Sequence, residues 1–440
     1  MIRRLATSLL VATLGMAAPL AAQSPLTLPE AIARARAKNP DIGAAAAAER
    51  EAVQRVTQAR ASYFPKVDVT ESWQRGDQPV FVFSSLLAQR RFTAADFALD
   101  ALNQPDALDN FRTAFMVEQS LFDRAAAANV RAAGIGRDMA TTGRLLVDHD
   151  LLFGVTEAYG RVLVAAAATQ SAGAALDAAR ADRERASNRR DAGLVTDADV
   201  LQLDVHLART REQQIRAASE ERIARAQLNQ VMGEPLDATF SLDPTPAASP
   251  IAMTDAATLE AEALRNRPDV KLAALQEQLA VAAAAAARAA FLPQVAVQGG
   301  WEVNGGSLNS RTPSWMVGAV ARINLFHGFA DQARLAEAGD QTTRRASERE
   351  KMETAARLAV RIAIDRLNAA RASEAVGRAA ADQARESQRI VRDRYEGGLT
   401  DVASLLRAAE AVLQSETQQV SAQVDVLVAA AGLERALGRR

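Results

Sequence analysis

Residues 294–325 read QVAVQGGWEVNGGSLNSRTPSWMVGAVARINL, and this stretch decides the architecture. Val295, Val297, Trp301 and Val303 fall on one face of an extended chain, with Gln294, Gln298, Glu302 and Asn304 on the other. After a turn rich in Gly, Ser and Asn, Trp315, Val317, Ala319, Ala321, Ile323 and Leu325 alternate with Met316, Gly318, Val320, Arg322 and Asn324. The pattern predicts a β-hairpin with strands of roughly nine to eleven residues. A second copy lies upstream. Val67, Val69 and Trp73 alternate with Lys66, Asp68, Ser72 and Gln74, with Glu71 breaking the apolar face, and Phe111, Phe115, Val117 and Leu121 mark the matching strand. One apolar face, one polar face and Trp near the strand ends suit strands that cross a membrane. A soluble sheet packed on helices is the other reading. Four strands cannot close a barrel, and hydrocarbon tolerates no open sheet edge. If these strands are transmembrane, several chains must share one barrel, and three chains would supply twelve strands.

The hairpins belong to a longer internal repeat. Asn39-Pro40-Asp41 reappears as Arg267-Pro268-Asp269, Phe64-Pro65 as Leu292-Pro293 and Trp73 as Trp301, all 228 positions apart. Further on the offset is 204: Ser120-Leu121-Phe122-Asp123 matches Asn324-Leu325-Phe326-His327, and Thr196-Asp197 matches Thr400-Asp401. The first half therefore carries about 24 more residues between its strands. Each half reads as helix, strand, strand, long helix, turn, helix. The expected organisation is a first repeat over 23–240 with an insert at about 77–110, a Pro-rich linker over 241–257 containing Pro244, Pro246 and Pro250, and a second repeat over 258–440.

Asn39 is placed to cap a helix that begins at Pro40, runs through an alanine tract to about Ser62 and stops before Pro65. From Asp123 to Asp191 the pattern is helical throughout. Leu145, Leu152, Tyr159 and Ala166 fall seven apart, accompanied by Val155, Val162, Thr169 and Leu176, while Leu406, Leu413, Val420 and Leu427 repeat the period. At 1.5 Å per residue such a helix would extend on the order of 100 Å. Alanine is about a fifth of the chain and aromatic residues are 4% of it, a composition for long, closely packed helices rather than thick cores.

The same composition narrows the functions. With 52 basic and 53 acidic side chains there is no global charge to recruit nucleic acid. The absence of cysteine removes disulfides, thiolate metal sites, cysteine nucleophiles and a lipid-modified cysteine anchor. His149, His206 and His327 are far apart and fit no metal-ligand spacing, and no phosphate-cradling glycine loop or nucleophile elbow is present, so neither a cofactor nor an enzymatic activity is expected. Residues 1–22, with Arg3 and Arg4, an apolar run from Leu5 to Leu20 and small residues before Gln23, read as a cleaved signal peptide.

These pieces together resemble the TolC-type outer-membrane efflux proteins, over residues 26 to 438. The resemblance is carried by Leu28-Pro29-Glu30-Ala31-Ile32 followed by Asn39-Pro40, by the Phe-Pro before the strand and by Leu121-Phe122-Asp123 and Leu325-Phe326-His327-Gly328. It is carried also by the turns Ala192-Gly193-Leu194-Val195-Thr196-Asp197 and Arg394-Tyr395-Glu396-Gly397-Gly398-Leu399-Thr400-Asp401. It implies a mostly α fold with β: a homotrimer whose α-helical barrel, a coiled-coil tunnel in the periplasm, continues a twelve-stranded transmembrane β-barrel in the outer membrane of a Gram-negative bacterium. The implied function is a passive conduit working with a periplasmic adaptor and an inner-membrane transporter. The outer channel of a one-step (type I) protein-secretion system is the near alternative, and a periplasmic structural coiled-coil protein is the alternative of another class.

On that resemblance the two helix-helix turns lie at the periplasmic end. Gly193, Gly397 and Gly398 can reverse the chain, Thr196 and Thr400 are the expected caps, and Asp197 and Asp401 complement the dipoles of the returning helices. The turns are expected to dock the adaptor. Arg394 and Tyr395 are the gate candidates implied by the family, with Asp401, Asp197 or Asp199 as partner charge. Where many relatives carry acids, this chain has Ser404 and Arg407. Three copies of such an acid would converge on one axis, binding a cation or raising their own pKa. Trp73, Phe115, Trp301 and Trp315 are candidate barrel-surface aromatics, and the Phe-rich insert is either a locally packed cap or a ligand site.

Overall fold

The computed structural model describes residues 25–244 and 255–439. The signal-peptide reading and most of the Pro-rich linker lie outside the described residues. In chain order the elements are α1 (Leu28–Lys38), α2 (Pro40–Arg60), β1 (Lys66–Gly76), α3 (Pro79–Ala88), α4 (Leu99–Asn103), β2 (Leu108–Phe122), α5 (Arg124–Asp191) and α6 (Asp197–Met232). They are followed by α7 (Ala256–Asn266), α8 (Pro268–Ala289), β3 (Gln294–Ser307), β4 (Ser310–Arg322), α9 (Ala330–Glu396) and α10 (Val402–Leu437). By length and composition alone α5 and α8 could cross a membrane. Much of the apolar content of both is alanine, which serves close helix packing as well as it serves lipid.

The chain folds as two compact units, each drawing on both sequence halves. One takes residues up to Ala37, Gly154–Ser249 and Ala370–Val428; the other takes Lys38–Phe153, Pro250–Ala369 and Ala429 onward.

The second unit holds the four strands in one antiparallel sheet, ordered β1-β2-β3-β4. The strands are 11, 15, 14 and 13 residues long, longer than the alternation predicts, because pairing continues into Gly, Asn and Ser at the hairpin ends. In contrast β4 stops at Arg322. Its partner strand begins at Gln294, which faces Arg322, so Ile323 and Leu325 have nothing to pair with and stay exposed. Between β2 and β3 the register shifts at Leu121, leaving Ser120 opposite Ala296 and Phe122 opposite Val295. Asp123 then caps α5, its Oδ1 accepting from the Ala125 and Ala126 amides at 2.8 and 3.1 Å. Asn39 caps α2 as its sequence suggests, with Oδ1 2.7 Å from the Asp41 amide. Arg267, its counterpart, instead grips the Asp269 carboxylate at 3.0 and 2.6 Å.

Glu71 is explained by its partners. It accepts from the Thr113 hydroxyl and from Arg311, 2.9 Å away, so the charge that interrupts the apolar face is neutralised by a residue of the far edge strand. The insert between β1 and β2 is helical and is pinned to the sheet by Gln89. The buried Gln89 amide donates to the Asp109 carbonyl at 2.9 Å and to Asn110 Oδ1 at 3.0 Å, and its backbone carbonyl accepts from the Thr312 hydroxyl at 3.2 Å. Asn110 passes the chain on to Asn304 at 3.1 Å, both of them buried.

In the first unit the seam of α5 is buried around Val155, Tyr159 and Val162. The Tyr159 hydroxyl lies 2.8 Å from the Leu26 carbonyl and 3.0 Å from that of Asp243, where the incoming strand segment pairs with Leu242. Burial pushes the Tyr159 hydroxyl up to about 12.

Two outcomes follow from these contacts. Because the folded pKa lies above the unfolded value near 10, the neutral Tyr159 contributes stability that is complete below pH 10 and is lost as pH rises through about 12. Tyr159→Phe should therefore lower stability by about 1–2 kcal/mol at neutral pH and flatten the alkaline loss between those values, read by denaturant melts across pH. Gln89→Ala should free the insert, and limited trypsinolysis should then cut at Arg90 or Arg91 several-fold faster than in wild type, with the global melting transition little changed.

Candidate functional site: the helix-helix turns and the exposed sheet

Both turns are Schellman-type stops. In the first, the Gly193 amide donates to Arg190 O at 2.8 Å and the Leu194 amide to Arg189 O at 2.9 Å; in the second, Gly398 donates to Tyr395 O at 3.0 Å and Leu399 to Arg394 O at 2.8 Å. Gly193 and Gly398 sit at φ +75° and +73°, the left-handed region where a side chain would be strained. Gly397 does not need that freedom. It continues the helical bonding, its amide donating to Asp393 O at 3.0 Å.

These bonds fix the repeat at 205 positions in this region rather than 204, and they correct one expected cap. Thr196 caps α6 in a reciprocal box, its hydroxyl facing the Asp199 amide at 3.3 Å while Asp199 Oδ2 accepts from the Thr196 amide at 2.9 Å. The equivalent cap on α10 is Asp401, not Thr400: Asp401 Oδ1 accepts from the Ser404 amide at 2.8 Å. The Ser404 bonds hold the Asp401 carboxyl below its usual range, with Arg407 adding to the effect. Asp197 is first-turn and exposed, 3.9 Å from Arg190.

The gate candidates part company. Tyr395 is buried among Ala186, Val200, Leu203, Val402 and Leu405. Burial raises its hydroxyl pKa, opposed by Arg189, and that hydroxyl finds no hydrogen-bond partner among the described residues. Arg394 is exposed and forms no ion pair with Asp197, Asp199 or Asp401 within the chain. The residue that holds Tyr395 is Arg189, which sequence reasoning passes over. Its guanidinium lies 5.6 Å over the Tyr395 ring and donates to the Tyr395 and Glu396 carbonyls at 3.1 and 3.4 Å, tying the end of α5 to the end of α9. The 205-residue offset makes Arg189 the counterpart of Arg394, a relation the 204 spacing hides.

In the sheet, Phe115, Trp301 and Trp315 stand opposite one another on β2, β3 and β4, and Trp73 stands opposite Phe111 on β1 and β2. The Phe115 and Trp301 rings are 5.4 Å apart, and the Trp73 indole donates to Asp109 at 3.0 Å. With Val67, Val69 and Val317 they leave a continuous apolar row open; Trp315 is 77% exposed. Among the described residues no group of three or more His, Asp or Glu side chains is arranged to hold a metal ion.

A family model described as outer membrane efflux protein matches residues 31–234 and 259–439. Among individual proteins, the chain is 29% identical over 372 residues to Protein CyaE of Bordetella pertussis, covering 82% of this chain and 73% of that one. It is 25% identical over 414 residues to the pyoverdine export outer membrane protein OpmQ of Pseudomonas aeruginosa, covering 92% and 83%. Its fold matches the Campylobacter jejuni CmeC outer membrane channel with a TM-score of 0.79 at 15% identity, over 93% of this chain and 85% of that one. Helix pairs joined by paired Schellman turns, a four-stranded sheet with an open apolar face and a match across both halves place this chain in the outer membrane efflux protein family, the TolC family of transport proteins.

Proposed function

We propose that three copies of this chain close one twelve-stranded barrel in the outer membrane and continue it as a periplasmic tunnel of helices, a passive exit duct without catalytic groups. The observation that carries the reading is the open sheet: among the described residues β1 and β4 have no strand partner on their outer edges, and Val67, Val69, Trp73, Trp315 and Val317 are each more than half exposed in the single chain. The helices support it too. Leu201, Val205 and Ile215 on α6 and Leu358 and Val376 on α9 are left facing outward, as neighbours in a helical barrel would require. The two repeats, over 23–240 and 258–440, would then each supply one hairpin and one helix pair. Cargo would be driven by an inner-membrane transporter and delivered through a periplasmic adaptor.

In this reading the turns around Gly193, Thr196, Asp197 and around Gly397, Gly398, Thr400, Asp401 form the periplasmic rim that meets the adaptor. The closed rim is held within each chain by Arg189 against Tyr395, while the exposed Arg394 is free to reach Asp197, Asp199 or Asp401 of a neighbouring copy. Reconstitution into planar bilayers tests this. Wild type should conduct weakly, and Arg189→Ala should raise the conductance several-fold, with Arg189→Lys between the two because an ammonium can donate to the carbonyls, as the single Nη1 does, but has no planar face to lay over the Tyr395 ring. Thr196→Ala, which removes a cap worth about 1 kcal/mol but no link between the turns, should leave conductance near wild type. A folded protein that inserts and forms no pore would sink the conduit reading, and an Arg189→Ala pore identical to wild type would sink the lock.

A further inference from the structure

The β1–β2 insert encloses a pocket that the duct itself does not require. Val82, Phe83 and Leu86 of α3, Phe92 of the segment that follows it and Leu102 of α4 line an open cavity of about 280 Å³. That volume is near the lower end of small-molecule sites, which begin at about 300 Å³. The wall is set before any ligand arrives. Phe83 packs edge-to-face on Phe92 at 4.9 Å and Phe92 on Phe97 at 5.0 Å. Val82 and Ser85 are buried, and Gln89 fastens the segment to β2 and β4.

The polar part of the lining is one-sided. It includes two carboxylates, Asp96 and Asp106, and no Lys, Arg or His. Asp96 is locked in a capping box, accepting from the Thr93 amide and hydroxyl at 2.7 Å each, bonds that keep it ionised. Arg91, the base whose charge is felt at Asp96, donates to Gln89 Oε1 at 3.1 Å. Asp106 is exposed and makes no hydrogen bond or ion pair among the described residues. Aromatic faces and carboxylates both favour a cation, whereas an anion would be repelled and a neutral hydrocarbon would leave the carboxylates unused.

We propose that this pocket binds small amphiphilic ammonium ions, the apolar part lying among Phe83, Phe92 and Leu102 and the ammonium group meeting Asp106 and Asp96. The site is built by one chain's own residues and goes beyond the duct reading, so a chain that forms no pore can still be tested.

Titration calorimetry on the full chain in nonionic detergent, with 2-phenylethylamine, 2-phenylethanol and phenylacetate as probes of one size and three charges, decides it. The amine should bind, the alcohol about tenfold more weakly and the acid more weakly still. Asp106→Asn, at an exposed position that carries no fold contact, should bring the amine down to the level of the alcohol and leave the alcohol unchanged, with an unaltered melting transition. Phe83→Ala should weaken amine and alcohol alike. Equal binding of amine and alcohol to wild type, an Asp106→Asn variant indistinguishable from it, or no binding of the amine would each overturn the proposal.

Discussion

An antiparallel sheet of four strands has two edges, and the backbone N–H and C=O groups along them must be paired somewhere. In this chain β1 and β4 are those edges, and among the described residues no further strand pairs with the outer side of either. In water the edges could be solvated, but the side chains between them are valines and tryptophans standing open on one face. In lipid the side chains are at home and the edges are not. Under the proposed function, pairing with further copies satisfies both requirements at once, and the rest of the architecture is consistent with that demand. The helices carry small residues and outward apolar side chains, suited to packing beside equivalent helices, instead of enclosing a thick core.

The turns show how a small difference in capping chemistry adjusts a duplicated fold. Helices α6 and α10 are both 36 residues long, and each ends at a left-handed glycine, Gly233 or Gly438, at φ near 70°. Their starts are capped differently, by a threonine in a reciprocal box and by an aspartate reaching Ser404. The left-handed glycine of the preceding turn, Gly193 or Gly398, sets the register, and the side chain that falls three residues after it, Thr196 or Asp401, caps the first-turn amide three residues further on. This places Arg189 and Arg394 at equivalent positions with opposite fates: one half-buried against Tyr395 and two carbonyls, the other left in solvent.

Much of this was legible in the residues. The switch from helical to alternating period located all four strands, and Asn39-Pro40-Asp41 marked a helix start that the Asn39 side chain does cap. The missing parts share a physical cause, since they depend on contacts between residues far apart in the chain. Thr196-Asp197 and Thr400-Asp401 look alike as dipeptides, yet hydrogen bonding across the preceding glycine puts them one residue out of step. Glu71 looks like a defect in a strand until Arg311, 240 residues away, is seen to meet it. Arg189 lies in an arginine-rich helix end with no pattern to single it out, and its role exists only because the end of α9 packs beside it. The ends of the strands were misjudged because pairing, not hydrophobicity, determines where a strand stops.

The central claim is that the sheet is completed by other copies in a membrane. It is tested most directly by the molar mass of the protein extracted from outer membranes, measured by light scattering with the detergent contribution subtracted. The account predicts a particle of three chains that stays dispersed only while detergent is present. A monomer or dimer that remains soluble in water without detergent would contradict it, and would mean that the open edges and the apolar face are satisfied within a soluble protein.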